Sequence, residues 1–392
     1  MGYKELLVNH KIIRQLSLIQ LFAYFGAWFS HVAIYTMLVQ FGASATQISG
    51  VVAMNFLPSI ILSVLSGSLV DRLPLKKFMV SLLSLELLMT SMLFFITSIN
   101  DIYLLMILMF IRMAAASVFF TSEMTLLPKI LDDKLLSKAN EIHSIIWSFT
   151  FTAGMALGGV VVHNFGVYTA FSIDITFFLI AIIIFINTKI DLTHTSSTSH
   201  IFEDIKDGLR YIKNNKKLIH YMLLHGTVGF TAFDSLVTLL ADYEYKSIIS
   251  IALAIGITNA TRAAALMIGP FFITNWINKQ RLFYLFIVQG FTIFIWGLLQ
   301  HNFYIALIGV FLTGLVTTTL WSYTYAMLQE EVQQKYLGRV LSYNEMIFMS
   351  FNIFTTLFIG FMATLVSLDI ITFTIAGLFI LTAIYYRRVF YE

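Results

Sequence analysis

Ten Asp, Glu, Arg and His side chains lie inside long apolar stretches of this sequence and away from the ends of those stretches, and they are the groups best placed to do chemistry. A charge in an apolar medium is costly, so each is a candidate for ligand binding or proton transfer. An arginine stays charged in proteins and needs an acidic partner or an anionic ligand. The ten are Glu86, Arg112, Glu123, Asp174, Asp234, Arg262, Glu345, His31, His143 and His225.

Arg112 lies near the middle of its apolar stretch, and we expect it to form a proton-sensitive pair with Asp234 or Glu86. Asp234 is the stronger candidate for the proton carrier and Glu86 the second, with a purely structural pairing as the alternative. Glu123 lies close to the end of the apolar stretch that also contains Arg112, which favours a gate or an interface salt bridge. For Asp174 we expect a structural role.

Polar and aromatic side chains recur at steps of three or four residues in three of the apolar stretches, so each set occupies one face of a helix. Such a face lines either a polar pocket or a set of interhelical hydrogen bonds. The sets are Ser17, Gln20, Tyr24, Trp28, His31 and Tyr35; Thr227, Thr231, Asp234 and Thr238; and Thr313, Thr317, Trp321 and Thr324.

The composition assigns the chain to the polytopic membrane proteins. Of its 392 residues, 58% are hydrophobic and only 11% charged, and the mean hydropathy is +0.84. A soluble domain carries about 25% charged residues. The lack of cysteine excludes thiolate nucleophiles and cysteine-based metal sites, and a net charge of +3 is too small to indicate nucleic-acid binding.

The apolar stretches predict an all-α membrane protein with twelve transmembrane helices, because a helix needs about 20 residues to cross a membrane. The strands of a β-barrel would alternate in polarity, and these stretches do not. The predicted spans are 15–40, 46–70, 77–98, 102–127, 139–163, 166–187, 218–241, 247–275, 282–299, 303–328, 340–365 and 368–386.

The basic residues predict the orientation of these spans. With the N-terminus inside, 21 of the 24 Lys and Arg residues lie in cytoplasmic tails and loops, and only Lys246 lies outside. Basic loops mark the cytoplasmic side. We therefore expect a multi-pass protein of a bacterial cytoplasmic (inner) membrane with both termini in the cytoplasm.

One long polar stretch divides the chain into two halves. Residues 1–188 are predicted to form an N-terminal six-helix bundle (the N-half), 189–217 a cytoplasmic linker, and 218–392 a C-terminal six-helix bundle (the C-half). Apolar residues at helical spacing predict an amphipathic helix on the membrane surface within the linker, with a plain charged linker as the alternative. They are Ile201, Ile205, Leu209 and Ile212.

The two halves carry a weak internal repeat. The segments 127–142 and 328–343 follow the fourth span of each half, and their alignment pairs Leu127 with Leu328. Parallel six-span repeats about an axis normal to the membrane are typical of transporters.

The loop GSLVDRLPLKK at 67–77 resembles the loop between spans 2 and 3 of the major facilitator superfamily. Gly67, Asp71, Arg72 and Lys76 match its motif, which implies a conformational latch. Other segments resemble the branch that contains the enterobactin exporter and drug and macrolide efflux proteins. They are LLPKILDDKLLSKANEI after span 4 and AFSIDITFF in span 6.

This resemblance implies that spans 1, 4, 7 and 10 line a substrate cavity. The polar faces then supply its lining, namely Tyr24, Trp28, His31, Tyr35, Thr227, Thr231, Thr238, Thr317 and Trp321. Gly154, Gly158 and Gly159 are similar to an exporter glycine motif in span 5, which implies a gating role. Close helix packing is the alternative for these glycines.

The function implied is secondary active transport by alternating access, specifically proton-coupled efflux of a small amphipathic molecule such as a drug or siderophore. An importer, a lysolipid flippase and a non-transporting membrane sensor are the alternatives. The sequence contains no H-E-x-x-H, G-x-S-x-G or Walker motif, so we expect no enzyme. We expect a monomer whose partners are the substrate, protons and the bilayer, with no cofactor, metal or nucleic acid.

Overall fold

The computed structural model describes residues 3–131, 133–190 and 201–391, and within these ranges it contains helices and turns but no strand. The α-helices are α1 (Tyr3–Asn9), α2 (Lys11–Gln40), α3 (Ala45–Ala53), α4 (Leu57–Arg72), α5 (Leu75–Met92), α6 (Ile102–Ile130), α7 (Asp133–Phe165), α8 (Val167–Asn187), α9 (Ile201–Asn214), α10 (Lys216–Gly226), α11 (Asp234–Leu240), α12 (Ile251–Ile273), α13 (Leu282–Leu299), α14 (Phe303–Glu331), α15 (Leu337–Met362) and α16 (Leu368–Phe390).

Twelve segments of the described chain are long and apolar enough to cross a membrane, which confirms the predicted number. Span 1 is α2, span 2 comprises α3 and α4, spans 3 to 6 are α5 to α8, span 7 comprises α10 and α11, and spans 8 to 12 are α12 to α16. An even number of spans places both ends of the chain on one side of the membrane. We call that side the terminal face and the other the distal face.

Local sequence explains several helix boundaries. Ser44 and Gln47 form a capping box before span 2, and Ser250 caps span 8. Pro58 lies at the start of α4, where span 2 resumes after a turn. Pro128 lies inside α6, so span 4 is longer than the predicted 102–127.

Span 7 is not the continuous helix that its polar face predicts. The α-helix stops at Gly226, a 3₁₀ turn covers Thr227–Thr231, α11 begins at Asp234, and a π-helical turn covers Ala241–Tyr245. The threonines of span 7, although three or four residues apart, therefore do not all lie on one face of a regular helix. Such irregular turns inside a span are typical of functional sites.

The cores show where the two halves meet. One continuous core joins the C-half to the distal part of the N-half, including Phe29, Tyr35 and Leu38 in span 1 and Phe151 in span 5. A separate core holds the terminal-face part of the N-half, including Leu16 and Leu127. The two halves are thus packed together near the distal face and have distinct cores near the terminal face.

Two surface helices are attached in equivalent ways to the two halves. Ahead of span 1, α1 contacts span 5, where the Tyr3 hydroxyl donates to Glu141 Oε2 at 2.7 Å. Ahead of span 7, α9 contacts the start of span 11, where Arg339 Nη1 lies 2.6 Å from Asp207 Oδ2. Residues 191–200 of the linker lie outside the described ranges.

The amphipathic helix predicted in the linker corresponds to α9, and one of its faces lies against the C-half. The Tyr211 ring stacks on Tyr336 with centroids 4.1 Å apart, and the Tyr343 hydroxyl donates to the carbonyl of Ile205 at 2.8 Å. Leu209 stays 50% exposed. The membrane-surface location therefore applies at most to that exposed side.

Candidate functional site

The pair His31–Asp234 joins the two halves of the molecule. His31 lies on span 1 and Asp234 on span 7, and His31 Nε2 is 3.6 Å from Asp234 Oδ1. Both side chains are mostly buried, with 14% and 19% exposed. An acid and a base from different halves therefore face each other at the interface.

The interruption of span 7 shapes the surroundings of Asp234. The Arg262 guanidinium of span 8 donates to the Thr231 carbonyl at 2.6 Å and lies 5.1 Å from the Phe233 ring centre. Arg262 also interacts electrostatically with Asp234. The broken span thus presents a carbonyl and a carboxylate to one arginine.

Aromatic side chains surround His31 on span 1. The His31 ring lies edge-on to Tyr35, with centroids 4.5 Å apart, and Tyr35 accepts a hydrogen bond from Asn55 at 2.5 Å. Trp28 stacks on Phe151 with centroids 4.4 Å apart, and its buried Nε1 has no hydrogen-bond partner among the described residues. The face of span 1 that carries Trp28, His31 and Tyr35 thus packs largely against aromatic rings.

Arg112 does not pair with Asp234 or Glu86, so the predicted pairing is wrong. Its Nη2 donates to Asp174 Oδ2 at 2.7 Å, and Ser30 donates to the same carboxylate oxygen. Asp174 is fully buried and Arg112 is 4% exposed. Span 6 passes so close to span 1 that a Cβ added at Gly26 would lie 3.0 Å from the Asp174 Cα.

Glu86 is buried on span 3 and interacts electrostatically with both Arg112 and Asp174. It makes no hydrogen bond or ion pair with the other described residues. Glu86 is thus a buried acid beside an existing ion pair and not a member of it.

Glu123 lies in a second buried polar cluster, formed by spans 1, 4 and 5. Its carboxylate accepts from the Gln20 amide and from the Tyr24 hydroxyl, the latter at 3.0 Å, and the His143 ring lies 3.7 Å away. Glu123 is 1% exposed. Every one of its partners belongs to the N-half, so it bridges helices within that half and not the two halves.

The predicted threonines of span 7 bond to their own backbone. Thr227, Thr231 and Thr238 donate to the carbonyls of residues 224, 228 and 234. In span 10 Thr317 likewise donates to a backbone carbonyl, that of Thr313. These hydroxyls therefore donate within their own helices, and their oxygens remain as acceptors.

Trp321 is the most open of the predicted cavity residues in span 10, with 38% exposed. Its ring stacks on Tyr325 with centroids 5.2 Å apart, and it also meets His225. The stack forms a flat aromatic surface on the terminal-face half of the C-half.

The three glycines of span 5 lie at close helix contacts. Gly154 and Gly158 face span 1, where a side chain at either would meet Trp28 or Phe29. Gly159 faces span 8, where an added Cβ would lie 2.8 Å from the Ala252 carbonyl oxygen. These glycines therefore allow close packing both within the N-half and between the halves.

The predicted latch is described only in part. Lys76 donates to the Ile186 carbonyl at 2.8 Å, at the end of span 6, where a cation is favourable. Gly67, Asp71 and Arg72 lie in the last turns of α4, and the structure describes their backbone only.

Sequence reasoning missed the groups that complete each cluster. Ser30 completes the Arg112 site and His143 the Glu123 site, while Thr231 contributes through its carbonyl. His143 was visible as an ionisable residue in a span, but no spacing linked it to Glu123. Over the described residues, no group of three or more His, Asp or Glu side chains is arranged to hold a metal ion.

The family model described as Major Facilitator Superfamily matches residues 16–289. The chain belongs to the major facilitator superfamily. The resemblance inferred from the loop motif is thereby confirmed, and the members of this superfamily are membrane transporters, not enzymes.

Relatives of this superfamily member include the uncharacterized MFS-type transporter YfiS of Bacillus subtilis, 26% identical over 234 residues, which are 58% of this chain and 55% of YfiS. Macrolide efflux protein A of Streptococcus pyogenes is 23% identical over 320 residues, 79% of each chain. The match spans only about half the length of YfiS and of a second Bacillus subtilis transporter, YkuC.

Solved structures confirm the major facilitator fold. The nucleoside transporter NupG superposes with a TM-score of 0.77 at 11% identity, covering 98% of this chain and 100% of that one. A D-xylose-proton symporter superposes with a TM-score of 0.75 at 13% identity, covering 96% of this chain and 97% of that one. A bacterial homologue of the iron transporter ferroportin, in an inward-facing state, superposes with a TM-score of 0.71 at 15% identity, covering 96% of this chain and 98% of that one.

Proposed function

We propose that this transporter is a proton-coupled exporter of small amphipathic molecules that works by alternating access as a monomer. We place it in a bacterial cytoplasmic membrane with both termini in the cytoplasm, so that the terminal face is cytoplasmic. The observation that carries the proposal is the His31–Asp234 pair, in which each half of the molecule supplies one titratable group.

The pair links a proton to the relative position of the halves. When Asp234 is ionised, it attracts both Arg262 and a protonated His31, and this attraction holds span 1 against spans 7 and 8. Protonation of Asp234 removes the negative charge that attracts Arg262 and His31. The free energy of the closed distal interface then changes with proton binding, as coupling requires.

Arg112 and Glu86 have different parts in this proposal. Arg112 is held by Asp174 inside the N-half and fixes spans 1, 4 and 6 together. Glu86 stays the second candidate for proton binding because it is buried and makes no bond with its described neighbours.

Export of an amphipathic molecule is supported by the aromatic surfaces and by the relatives. Trp28 and Trp321 stack on further rings along spans 1 and 10, and such rings bind apolar molecules that also carry polar groups. The match to macrolide efflux protein A of Streptococcus pyogenes covers 79% of this chain.

The test uses the purified chain in proteoliposomes, with radiolabelled erythromycin as a macrolide probe and ethidium as an aromatic probe. In inside-out vesicles, we expect an acidic lumen to drive accumulation of a probe by the wild type. Asp234→Asn should abolish this accumulation, and passive exchange of the probe should continue. The matched control, Glu244→Gln, removes a carboxylate at the distal face and should leave accumulation unchanged.

Accumulation by Asp234→Asn at the wild-type rate would contradict the assignment of the proton site. Accumulation in right-side-out vesicles with an acidic exterior, and none in inside-out vesicles, would indicate an importer.

A further inference from the structure

The linker helix α9 has two sides of different character. Its inner side is docked on span 11, where a Cβ added at Gly208 would lie 3.1 Å from side-chain atoms of both Arg339 and Tyr343. Ile212 on the same side is only 8% exposed. Asp207 is paired with Arg339 at 2.6 Å. Docking therefore neutralises an acid of α9 and leaves the charges on its outer side unbalanced.

The outer side of α9 carries three cations around one apolar residue. Lys206, Leu209, Arg210 and Lys213 occupy positions i, i+3, i+4 and i+7, so they share one face of the helix. We call this surface the basic face. All four residues are exposed, Leu209 by 50%, and the three cations form no hydrogen bond or ion pair with the described residues. Glu203 is exposed at the edge of this face, which therefore has an excess of positive charge.

The depth of α9 follows from its contact with span 11. That span covers Gln334–Met362, and its 29 residues extend about 43 Å as a helix, whereas the hydrocarbon core of a bilayer is about 30 Å thick. Near the start of the span, the Tyr343 hydroxyl donates to the Ile205 carbonyl at 2.8 Å. Span 7 begins at Lys216, directly after α9. The helix therefore lies beside the first turns of span 11, at the depth of the lipid headgroups.

We propose that the basic face binds the headgroups of anionic phospholipids. Arg210 donates to phosphate oxygens through its planar guanidinium, and Lys206 and Lys213 supply further positive charge. Leu209 lies among the first carbons of the acyl chains, as the apolar residue of an amphipathic surface helix does. The inference concerns a partner beyond the proposed function, and it depends on neither the direction of transport nor proton coupling.

The test measures which lipid lies beside α9. The chain contains no cysteine, so Leu209→Cys gives a single site for a bimane fluorophore on the basic face. The labelled full-length chain is placed in two sets of nanodiscs with the same equal mixture of phosphatidylglycerol and phosphatidylcholine. The sets differ only in which lipid carries bromine on its acyl chains. We expect brominated phosphatidylglycerol to quench the bimane at least about twofold more strongly, because basic side chains attract anionic headgroups.

Three further proteins locate the effect. The same label at Phe361→Cys, which is 60% exposed near the distal end of span 11, should be quenched equally by the two lipids. In the Leu209→Cys chain, the triple change Lys206→Gln, Arg210→Gln and Lys213→Gln should abolish the preference, because glutamine keeps the helix propensity but not the charge. The charge-keeping triple change Lys206→Arg, Arg210→Lys and Lys213→Arg should retain it.

Equal quenching at Leu209→Cys by the two lipids would overturn the proposal, and so would the lack of quenching by either, since the face would then meet water. Soluble glycerol phosphate should leave the preference unchanged. Loss of the preference on its addition would assign the face to a soluble phosphate and not to a lipid. The comparison of the two lipids needs no change at a basic residue, so it decides the matter even if a triple variant does not fold. It measures no flux, so its failure is distinguishable from a failure of the proposed function.

Discussion

The first span of each half handles its polar groups differently. Span 1 is one unbroken helix, and its polar side chains bond to other spans, as Ser30 does to Asp174 and Tyr24 to Glu123. Span 7 is broken by 3₁₀ and π-helical turns, and its threonines bond to their own backbone. Span 1 is therefore tied to its neighbours by side chains, while span 7 presents a backbone carbonyl and a carboxylate at its irregular turns.

The largest effect expected from this difference concerns the two arginines. Arg112→Met leaves Asp174 buried with an unpaired charge and should lower the stability of the N-half by about 3–5 kcal/mol. Arg262→Met should cost less, because its Asp234 neighbour is partly exposed and keeps His31. Thermal unfolding of both variants in the same detergent measures the difference.

The double variant Arg112→Met with Asp174→Asn serves as the control for this comparison. It removes both charges and should recover part of the lost stability. If Arg262→Met proved the more damaging change, the view that the N-half holds the fixed ion pair would be wrong.

The glycine contact between the halves should give the next largest effect. A Cβ on Gly256 would lie 2.6 Å from the Met155 carbonyl oxygen and 2.9 Å from the Gly159 Cα. Gly256→Ala should therefore disfavour the closed distal interface by about 1–3 kcal/mol. Spin-label distances between the distal ends of spans 1 and 7 should shift to longer values.

Gly377→Ala is the matched control, because no described residue outside its own helical turn comes within 4 Å of the position its Cβ would take. Its distance distribution should equal that of the wild type. An unchanged distribution for Gly256→Ala would show that this contact does not limit the closed state.

Hydrogen exchange compares the two spans without any substitution. The amides of Thr227–Phe233 should exchange faster than those at equivalent depth in span 1, because a 3₁₀ turn has weaker hydrogen bonds than an α-helix. Mass spectrometry of peptides from both spans measures the rates. Equal protection in both spans would argue against a deformable span 7.

The smallest effect is expected at the terminal-face surface. Lys217 and Glu331 join spans 7 and 10 at 2.9 Å, but their side chains are 58% and 36% exposed. Lys217→Met should therefore change the free energy of unfolding by no more than about 1 kcal/mol. A loss comparable with that of Arg112→Met would show that surface charges also hold the C-half together.

The sequence was sufficient for the elements and for some of the contacts. Span number follows from hydropathy, which depends only on local composition. The polar face of span 1 also predicted groups that do meet buried acids, as in Tyr24–Glu123 and His31–Asp234. These contacts could be anticipated because span 1 is a regular helix, in which residues three or four apart point to the same side.

Two predictions failed for physical reasons that spacing does not contain. The partner of Arg112 is decided by the packing of span 6 against span 1, which places Asp174 within reach of the long Arg112 side chain beside Ser30. The face of span 7 is lost because 3₁₀ and π-helical turns change the rotation per residue. Neither the packing of distant spans nor a break in a helix without proline leaves a clear mark in the sequence.

The two surface helices also constrain the order in which the molecule assembles. The contact of Tyr3 with Glu141 joins residues 138 positions apart, and that of Asp207 with Arg339 joins residues 132 apart. During synthesis, neither helix finds its docking site until four further spans have been threaded into the bilayer and a fifth has begun. Each docking event therefore marks the near-completion of one half, first α1 and then α9, as the chain leaves the ribosome.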